Sequence, residues 1–320
     1  MRSPRVSVVV PFLNMGRFLP EAVQSVLAQT YTEWELIIVD DGSRPDEFAV
    51  ALAQINRQPE RIRVFAGGAE ATGSSATRNR GIQEARGEYL ALLDADDIWL
   101  PEKLAHQVDL MDSSREVAMT FAPVRYFLEG EGEEKEYDQP FAPLQPGMYF
   151  PPKVLPIFIR HPEVYPCPTA TLIRMKAIRM VGGFEERFRK IRTDLAAWTK
   201  LSSRYPVFAD DVIVARYRQH AGSAVAESKR LGMAFAYDRA YFHWALQYIE
   251  NLPAGVRSEL EPILCEKMLY YAVQDALSRG IRSSLGWRID VGSRLIRYRA
   301  FWRDFRWIRA LLLKATTFGG

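Results

Sequence analysis

Tyr89-Leu90-Ala91-Leu92-Leu93-Asp94-Ala95-Asp96-Asp97 joins an apolar run directly to three carboxylates. Such a run is typical of a strand that is buried on both faces. The carboxylates repel one another and lose hydration, so they need a cation or hydrogen-bond donors close by. One interpretation is a divalent cation shared with an anionic ligand, since Mg²⁺ and Mn²⁺ take one or two carboxylates together with phosphate oxygens. The other is a turn of solvated acids in which Asp97 caps a helix beginning at Pro101.

The composition describes an ordinary globular chain. Hydrophobic residues make up 48% of the 320 positions and charged residues 25%, which is enough apolar material for a core. The net charge of +3 is too small to favour nucleic acid as a partner, and none is expected. Cys167 and Cys265 are too few for a disulfide framework or a cysteine-based metal site. With no signal-peptide pattern and no apolar run of membrane-spanning length, we expect a cytoplasmic protein, either soluble or peripheral.

Strands and helices alternate through the first hundred residues. The hydrophobic pattern predicts four strands and three intervening helices: strands at 6–10, 35–39, 62–65 and 89–93, and helices at 18–29, 45–54 and 76–85. Pro11 is expected to end the first strand. This alternation predicts right-handed crossovers and an α/β fold, with a mostly parallel, Rossmann-like sheet flanked by helices.

Polar residues follow the ends of three of these strands. Asn14 follows the first, Asp40 and Asp41 end the second, and Asp94 to Asp97 follow the fourth. Open parallel sheets bind ligands at the carboxyl ends of their strands, near a topological switch point. The shared location therefore favours a nucleotide-type site over scattered loop acids.

The pattern changes between residues 118 and 218. Strand-like, acidic, proline-rich and helical segments follow one another: strands at 118–127, 169–174 and 212–217, an acidic loop at 129–136, a proline- and aromatic-rich stretch at 140–168, and a helix at 194–204. The proline-rich stretch suits a substrate-binding wall, and it suits simple packing equally well.

Residues 228–314 read as a set of helices, and the last of them is basic and aromatic. Between 282 and 314, arginines alternate with tryptophan, phenylalanine and aliphatic residues. One interpretation is an interfacial helix that contacts anionic lipids. The alternatives are that its apolar face packs on the globular body or forms a homodimer interface.

Four ordered blocks give the first 220 residues a family resemblance. They are Val6–Asn14, Val39–Ser43, Gly73–Gly81 and Leu93–Asp97, with weaker matches at Val181–Glu185, Thr193–Leu195 and Tyr217–His220. Together they resemble family 2 glycosyltransferases of the GT-A fold. The resemblance implies a transferase domain at 1–223, made of a nucleotide-sugar-binding half at 1–115 and an acceptor and catalytic half at 116–223. A helical extension at 224–320 would follow.

The resemblance also assigns a nucleotide-sugar site, comprising Pro11, Asn14, Asp40, Asp41, Arg78, Asp94 and Asp96. The aspartates of the second block would accept a hydrogen bond from the base, although they could also be a turn pair that caps a helix. Arg78 would lie beside the base or the diphosphate. Asp94 would contact the ribose or a metal-bound water, and Asp96 would ligate a Mn²⁺ or Mg²⁺ ion that bridges the phosphates.

Two further assignments come from the weaker matches. Asp194 corresponds to the family's general base, and Thr193 stands where the family usually has Glu; the alternative role for Asp194 is a helix N-cap. His220 corresponds to a histidine that completes the metal or diphosphate site in some relatives, and its alternative is a structural hydrogen bond. Leu13 replaces an aromatic residue that stacks on the base in many members, which weakens the assignment of uracil.

The implied function is an inverting, metal-dependent glycosyltransferase. It would move a sugar from a nucleoside-diphosphate sugar, with UDP as the expected carrier, to a hydroxyl of a saccharide or lipid-linked acceptor. Cell-surface polysaccharide synthesis at the inner face of the plasma membrane would be its setting. One rival is a sugar nucleotidyltransferase, although residues 11–17 lack the glycine- and basic-rich loop typical of that class. The other is a non-catalytic, nucleotide-sugar-binding partner subunit.

Overall fold

The computed structural model describes residues 3–68 and 70–279, apart from the side chains of residues 55 and 272–279. The chain separates into two compact units, residues 1–232 and 233–320. The predicted interfacial segment at 282–314 lies outside the described residues. The predicted limit between transferase domain and extension, at residue 223, stays a prediction.

The first half of the first unit has the predicted alternation of strands and helices. Its elements are β1 (Val6–Phe12), α1 (Leu19–Leu27), β2 (Trp34–Asp40), α2 (Pro45–Ala53), β3 (Ile62–Phe65), α3 (Ser74–Glu84) and β4 (Tyr89–Leu92). All seven residues of β2 and all four of β4 are buried, as expected of strands covered by helices on both faces.

The strand order β3-β2-β1-β4 places the switch point between β1 and β4. All three pairings are parallel, so the carboxyl ends of β1, β2 and β4 meet at one edge of the sheet. The expectation that Pro11 ends β1 was wrong, because the strand continues to Phe12. The pairing of β1 with β4 stops at Val9, so Pro11 lies beyond the last β4 partner and its missing N–H removes no bond of that ladder.

The second half of the first unit completes the large sheet and adds a small one. Its elements are β5 (Ile98–Trp99), α4 (Lys103–Ser113), β6 (Met119–Phe121), β7 (Val124–Leu128), β8 (Tyr137–Asp138), β9 (Gly147–Tyr149), α5 (Leu155–Arg160), β10 (Thr171–Arg174), α6 (Met175–Met180), α7 (Thr193–Ser202), β11 (Val207–Ala209), β12 (Ala215–Gln219) and α8 (Ala224–Arg230). The large sheet has the order β3-β2-β1-β4-β10-β6-β11-β9, and the small sheet the order β5-β12-β7-β8. β10 runs antiparallel to both of its neighbours.

The single strand expected at 118–127 is in fact two strands in two sheets. β6 pairs with β10 in the large sheet, whereas β7 pairs with β12 in the small one. Pro123 stands between them, and it lacks the N–H that a continuous ladder would need. The chain therefore changes sheets at this point, which brings β12 next to the loop that follows β4.

The second unit is helical over its described residues, as the sequence predicts. It contains α9 (Ala234–Ile249) and α10 (Ala254–Arg279). None of the described helices combines the length and the apolar character that crossing a bilayer requires.

Candidate active site

The predicted site residues from both halves of the first unit gather at the carboxyl edge of the large sheet. Those after β1, β2 and β4 are brought together by the parallel strands. His220 follows β12, whose neighbour β5 begins directly after Asp97. Arg78 reaches the same edge from the first turns of α3, and Asp194 reaches it from the first turn of α7.

The two aspartates at the end of β2 have different partners. The Asp40 carboxylate accepts the backbone N–H groups of Gly42, at 3.0 Å, and Ser43, at 3.1 Å. The Asp41 carboxylate accepts the N–H of Thr72 at 2.7 Å, its hydroxyl at 2.8 Å, and the N–H of Gly73 at 2.9 Å. Asp40 thus forms the tight turn, whereas Asp41 fixes the loop that leads into α3; neither carboxylate caps α2.

Asn14 joins the ends of β1 and β2. Its N–H donates to the Ser43 hydroxyl, and its side-chain oxygen accepts the N–H of Arg44, both at 2.9 Å. Its φ of 52° lies in the left-handed region, which asparagine tolerates better than most residues. Pro11, by contrast, lies within β1, and its place in the nucleotide-sugar site stays a prediction.

Arg78 connects the two halves of the site. Its guanidinium donates to Asp94 Oδ1 at 2.6 Å and to the Thr193 hydroxyl at 3.1 Å, and the arginine is only 4% exposed. Burial raises the pKa of Asp94 above its ordinary value, and the charge of Arg78 opposes that rise. Arg78 Nε is buried without a hydrogen-bond partner among the described residues, so one donor of this cation is left for another group.

Asp96 and His220 form a direct pair. His220 Nε2 lies 2.9 Å from Asp96 Oδ2, and the imidazole packs on the ring of Phe18 with centroids 4.8 Å apart. The histidine side chain is 1% exposed and the Asp96 side chain 22%. The carboxylate is therefore partly accessible to solvent, whereas the imidazole is buried.

Asp97 is the buried member of the triplet and does not cap a helix. Its carboxylate accepts the Thr169 hydroxyl at 2.5 Å and the N–H of Arg218 at 3.0 Å. Burial raises the pKa of Asp97 well above its usual range, and the neighbouring negative charges add to this rise. The expectation that a helix starts at Pro101 was wrong as well, since α4 begins at Lys103.

Asp194 is held by its own helix and by a tyrosine. Its Oδ1 accepts the N–H of Leu195 at 2.9 Å, and its Oδ2 accepts the Tyr165 hydroxyl at 3.1 Å. Burial raises the pKa of Tyr165 well above its ordinary value, so the phenol stays protonated and keeps donating. The N-cap of α7 is Arg192, so the predicted alternative role of Asp194 as N-cap does not apply.

Two sets of side chains have the chemistry to hold a divalent cation. Asp96 and His220 present an oxygen and a nitrogen 2.9 Å apart, and adjacent ligands in an octahedral shell with bonds of about 2.1 Å are roughly 3 Å apart. Asp94, Asp97 and Cys167 present ligand atoms that all lie within 4.8 Å of one another. In this second set, Arg78 already neutralises Asp94, and Asp97 already accepts hydrogen bonds, so the set of Asp96 and His220 fits a cation better.

Sequence analysis gave no role to several residues that contact the predicted ones, among them Thr72, Thr169 and Arg218. Tyr165, which donates to Asp194, lies in the stretch predicted as a substrate-binding wall or simple packing. A signal existed for Arg218, which stands two positions before the predicted ligand His220, in the same block of family resemblance. Thr72 and Thr169 lie outside the strands and α-helices, so only the fold reveals their neighbours.

Comparison with known proteins identifies the family. The model of "Glycosyl transferase family 2" matches residues 7–182, which is more than half of the chain. The chain belongs to this family. The match spans the loops after β1, β2 and β4, where the acidic site residues lie, and ends before α7 and β12.

Curated relatives agree with this assignment. The chain is 39% identical over 118 residues to the putative teichuronic acid biosynthesis glycosyltransferase TuaG of Bacillus subtilis (strain 168), an alignment covering 37% of this chain and 46% of the relative. It is 29% identical over 218 residues to the uncharacterized glycosyltransferase RC0461 of Rickettsia conorii, covering 68% of this chain and 34% of the relative. The chain spans less than half the length of either relative.

Solved structures confirm the GT-A fold. S. aureus TarS 1–349 in complex with UDP-GlcNAc superimposes with a TM-score of 0.66 at 16% identity, over 91% of this chain and 79% of that one. The mannosyltransferase PcManGT from Pyrobaculum calidifontis, in complex with GDP-Man and Mn²⁺, gives a TM-score of 0.55 at 15% identity, over 99% and 87%. At these identities the likeness concerns the fold alone.

Proposed function

We propose that this family 2 member is an inverting, divalent-metal-dependent glycosyltransferase that uses a nucleoside-diphosphate sugar. One observation carries the proposal. Acids from the ends of β2 and β4, the imidazole of His220 and the acid of α7 lie at one edge of the sheet. The Arg78 guanidinium bonds to Asp94 after β4 and to Thr193 at the start of α7. This arrangement supplies donor-binding, charge-compensating and proton-accepting groups side by side.

The donor half of the proposed site consists of the loops after β1, β2 and β4. By the family resemblance, the Asp41 carboxylate would accept a hydrogen bond from the nucleobase, and Asp94 would contact the ribose or a metal-bound water. Asp96 and His220 would hold Mn²⁺ or Mg²⁺. When bound there, such an ion supplies Lewis-acid stabilisation of the negative charge on the departing diphosphate. The buried Arg78 adds a fixed positive charge beside the same group.

Asp194 would act as the general base. Its carboxylate takes the proton from the acceptor hydroxyl as that oxygen attacks the anomeric carbon. The bond between the anomeric carbon and the diphosphate oxygen breaks, the nucleoside diphosphate leaves, and the single displacement inverts the configuration. Tyr165 and the N–H of Leu195 orient the carboxylate for this step. A purified product with retained configuration would contradict this mechanism.

The donor is tested by thermal-shift measurements with UDP, GDP, CDP and dTDP, each with and without Mn²⁺. A ligand that binds only the folded chain stabilises it by about 2.7 kcal/mol at a hundredfold excess over Kd. We expect a Mn²⁺-dependent shift with one nucleotide, which the Asp96→Ala variant abolishes. No thermal shift with any nucleotide would favour the non-catalytic subunit.

A separate assay of the reaction products distinguishes the other rival. Release of pyrophosphate instead of a nucleoside diphosphate would favour the nucleotidyltransferase.

For the acceptor, we propose a saccharide or lipid-linked saccharide used in cell-surface polysaccharide synthesis. The similarity to TuaG, a putative glycosyltransferase of teichuronic acid biosynthesis, supports this choice. The basic and aromatic sequence of residues 282–314 supports attachment to the cytoplasmic face of the membrane. Deleting residues 282–320 should move the protein from the membrane fraction to the soluble fraction, and unchanged partition would remove this support.

A further inference from the structure

Arg218 contacts the loop that carries the proposed metal ligands at two points. Its backbone N–H donates to Asp97 Oδ1 at 3.0 Å, and its side-chain Nε donates to the backbone carbonyl of Asp96 at 2.8 Å. Two neighbouring residues of the loop, Asp96 and Asp97, are therefore both hydrogen-bonded to a single residue of β12. The turn itself is closed by the N–H of Asp97 donating to the carbonyl of Asp94 at 3.0 Å.

The guanidinium of Arg218 has little freedom to move. It lies over the ring of Phe18, at 4.7 Å from the centroid, and over the ring of Phe127, at 4.6 Å. Its Nη2 donates to the carboxylate of Glu21, and its side chain is only 9% exposed. A planar guanidinium can bond to two acceptors in different directions while it packs between rings, which a lysine ammonium cannot reproduce.

Arg218 also packs on the ring that supports the second proposed ligand. His220 lies two positions further along the same chain segment, and its ring packs on Phe18, the ring that Arg218 covers. Glu21 offsets the charge of the guanidinium, so a cation near Asp96 meets less repulsion from it. Arg218 thus bonds the backbone of Asp96 directly and shares the Phe18 ring with His220, although the two proposed ligands lie 124 positions apart in sequence.

We propose that Arg218 is a positioning residue for the divalent cation, one that holds Asp96 and His220 at ligand spacing without touching the cation itself. The inference rests on the proposed function, because it needs a cation between these two side chains. Residues that orient metal ligands from outside typically change metal affinity by about 10- to 100-fold when they are mutated. We therefore expect an effect of that size on cation binding, with the fold retained.

Arg216 offers a matched control on the same strand. Its guanidinium also lies over the ring of Phe127, at 4.5 Å, and it also pairs with an acid, Glu136. Among the described residues, no hydrogen bond or ion pair joins its side chain to the Asp94–Asp97 loop. Loss of Arg216 therefore removes a comparable ring and ion-pair contact without touching the loop.

The experiment measures Mn²⁺ binding to the full chain by the loss of the free-ion signal in electron paramagnetic resonance. We expect Asp96→Asn to abolish binding, Arg218→Met to weaken it at least about tenfold, and Arg216→Met to leave it unchanged. Arg218→Lys should lie between Arg218→Met and the wild type. Thermal unfolding of each variant checks the fold. Glu21→Ala tests the same role by removing the ion-pair partner of Arg218, and we expect it to weaken Mn²⁺ binding as well. That side chain is 55% exposed, so its loss spares the core.

The outcomes separate the inference from the proposed function. If the wild type binds Mn²⁺, Asp96→Asn does not, and the Arg218 and Glu21 variants bind like Arg216→Met, Arg218 is not a positioning residue and the proposed cation site stands. If the wild type does not bind Mn²⁺, or Asp96→Asn binds it like the wild type, the proposed cation site fails and the inference fails with it. If Arg218→Met does not fold, Arg218→Lys and Glu21→Ala decide the question in the same way.

Discussion

At the scale of single residues, Thr193 stands just before Asp194, the proposed base, where the family resemblance leads us to expect a glutamate. Its hydroxyl accepts from Arg78 at 3.1 Å, so the guanidinium is shared between Asp94 and a neutral oxygen. A glutamate here would put another negative charge beside Asp94, whose pKa burial already raises. With threonine at position 193, Asp194 is the acidic residue in the first turn of α7.

Replacing Asp194 with Asn should separate chemistry from donor binding. The amide keeps the shape of the side chain but cannot take a proton, so we expect transfer to slow by about 10²- to 10⁴-fold. The Mn²⁺-dependent thermal shift should persist, because Asp96 and His220 are untouched. The rate is measured as nucleoside-diphosphate release from the donor that the nucleotide screen identifies. Asp211→Asn, an exposed acid, is the control; an Asp194→Asn rate close to that control would contradict the base assignment.

At the scale of elements, the close approach of α3 to β1 places Arg78. A Cβ atom on Gly81 would lie 2.3 Å from Val9 Cγ1, so only glycine allows the helix to approach the strand this closely. Gly81 is three positions after Arg78 and therefore on the same face of the helix. The distance between helix and strand thus helps to determine how far Arg78 reaches toward Asp94.

Gly81→Ala should destabilise the first unit by about 1–3 kcal/mol, as is usual when a packed core receives an extra methyl group. The denaturant midpoint measures this effect. Gly68→Ala is the matched control, because its Cβ would meet only the Glu70 carbonyl oxygen at 4.0 Å. The helix shift should also weaken nucleotide binding. Equal midpoints for the two variants would mean that α3 can move away from β1 at little cost.

A second inter-element contact makes stability depend on pH. Arg5, just before β1, donates to Asp112 in α4, and this bond lowers the pKa of Asp112 to about 2. Because the folded pKa lies below the unfolded one, the stabilisation is present above about pH 4 and is lost as the pH falls toward 2. Asp112→Asn should therefore lower the Tm at pH 6 and lower it less at pH 3. A difference in Tm that stays constant from pH 6 to pH 3 would contradict this linkage.

At the scale of the whole molecule, the site belongs to one unit. Every residue proposed to bind the donor, the cation or the acceptor proton lies between Pro11 and His220, within the unit that ends at Gly232. The second unit contributes none of them.

Residues 1–232 expressed alone should therefore bind nucleotide. We expect the same Mn²⁺-dependent thermal shift as in the full chain, because the ligands and the sheet that positions them are all retained. Circular dichroism checks that the fragment is folded. A folded fragment without the shift would mean that residues beyond 232 complete the donor site.

The sequence by itself determined the alternation of elements and the acidic ends of β2 and β4. These follow from local patterns: apolar runs form buried strands, and residues after parallel strands meet at one edge. That is why Asp40, Asp41, Asp94 and Asp96 could be located as candidate site residues before the fold was known. The break at Pro123 was missed because the apolar pattern continues through it. The missing N–H of proline, which cannot donate to a continuous strand ladder, was the signal that would have predicted the break.

Only the tertiary structure decided which of these residues touch. Asp97 meets Thr169 and Arg218 across 72 and 121 positions, and Asp41 meets Thr72 across 31. Such contacts depend on which strands become neighbours, and this depends on packing the whole chain rather than on any local period. The pairing of β12 with β5 and β7 brings Arg218 to the loop after β4, and no segment of the sequence records that pairing.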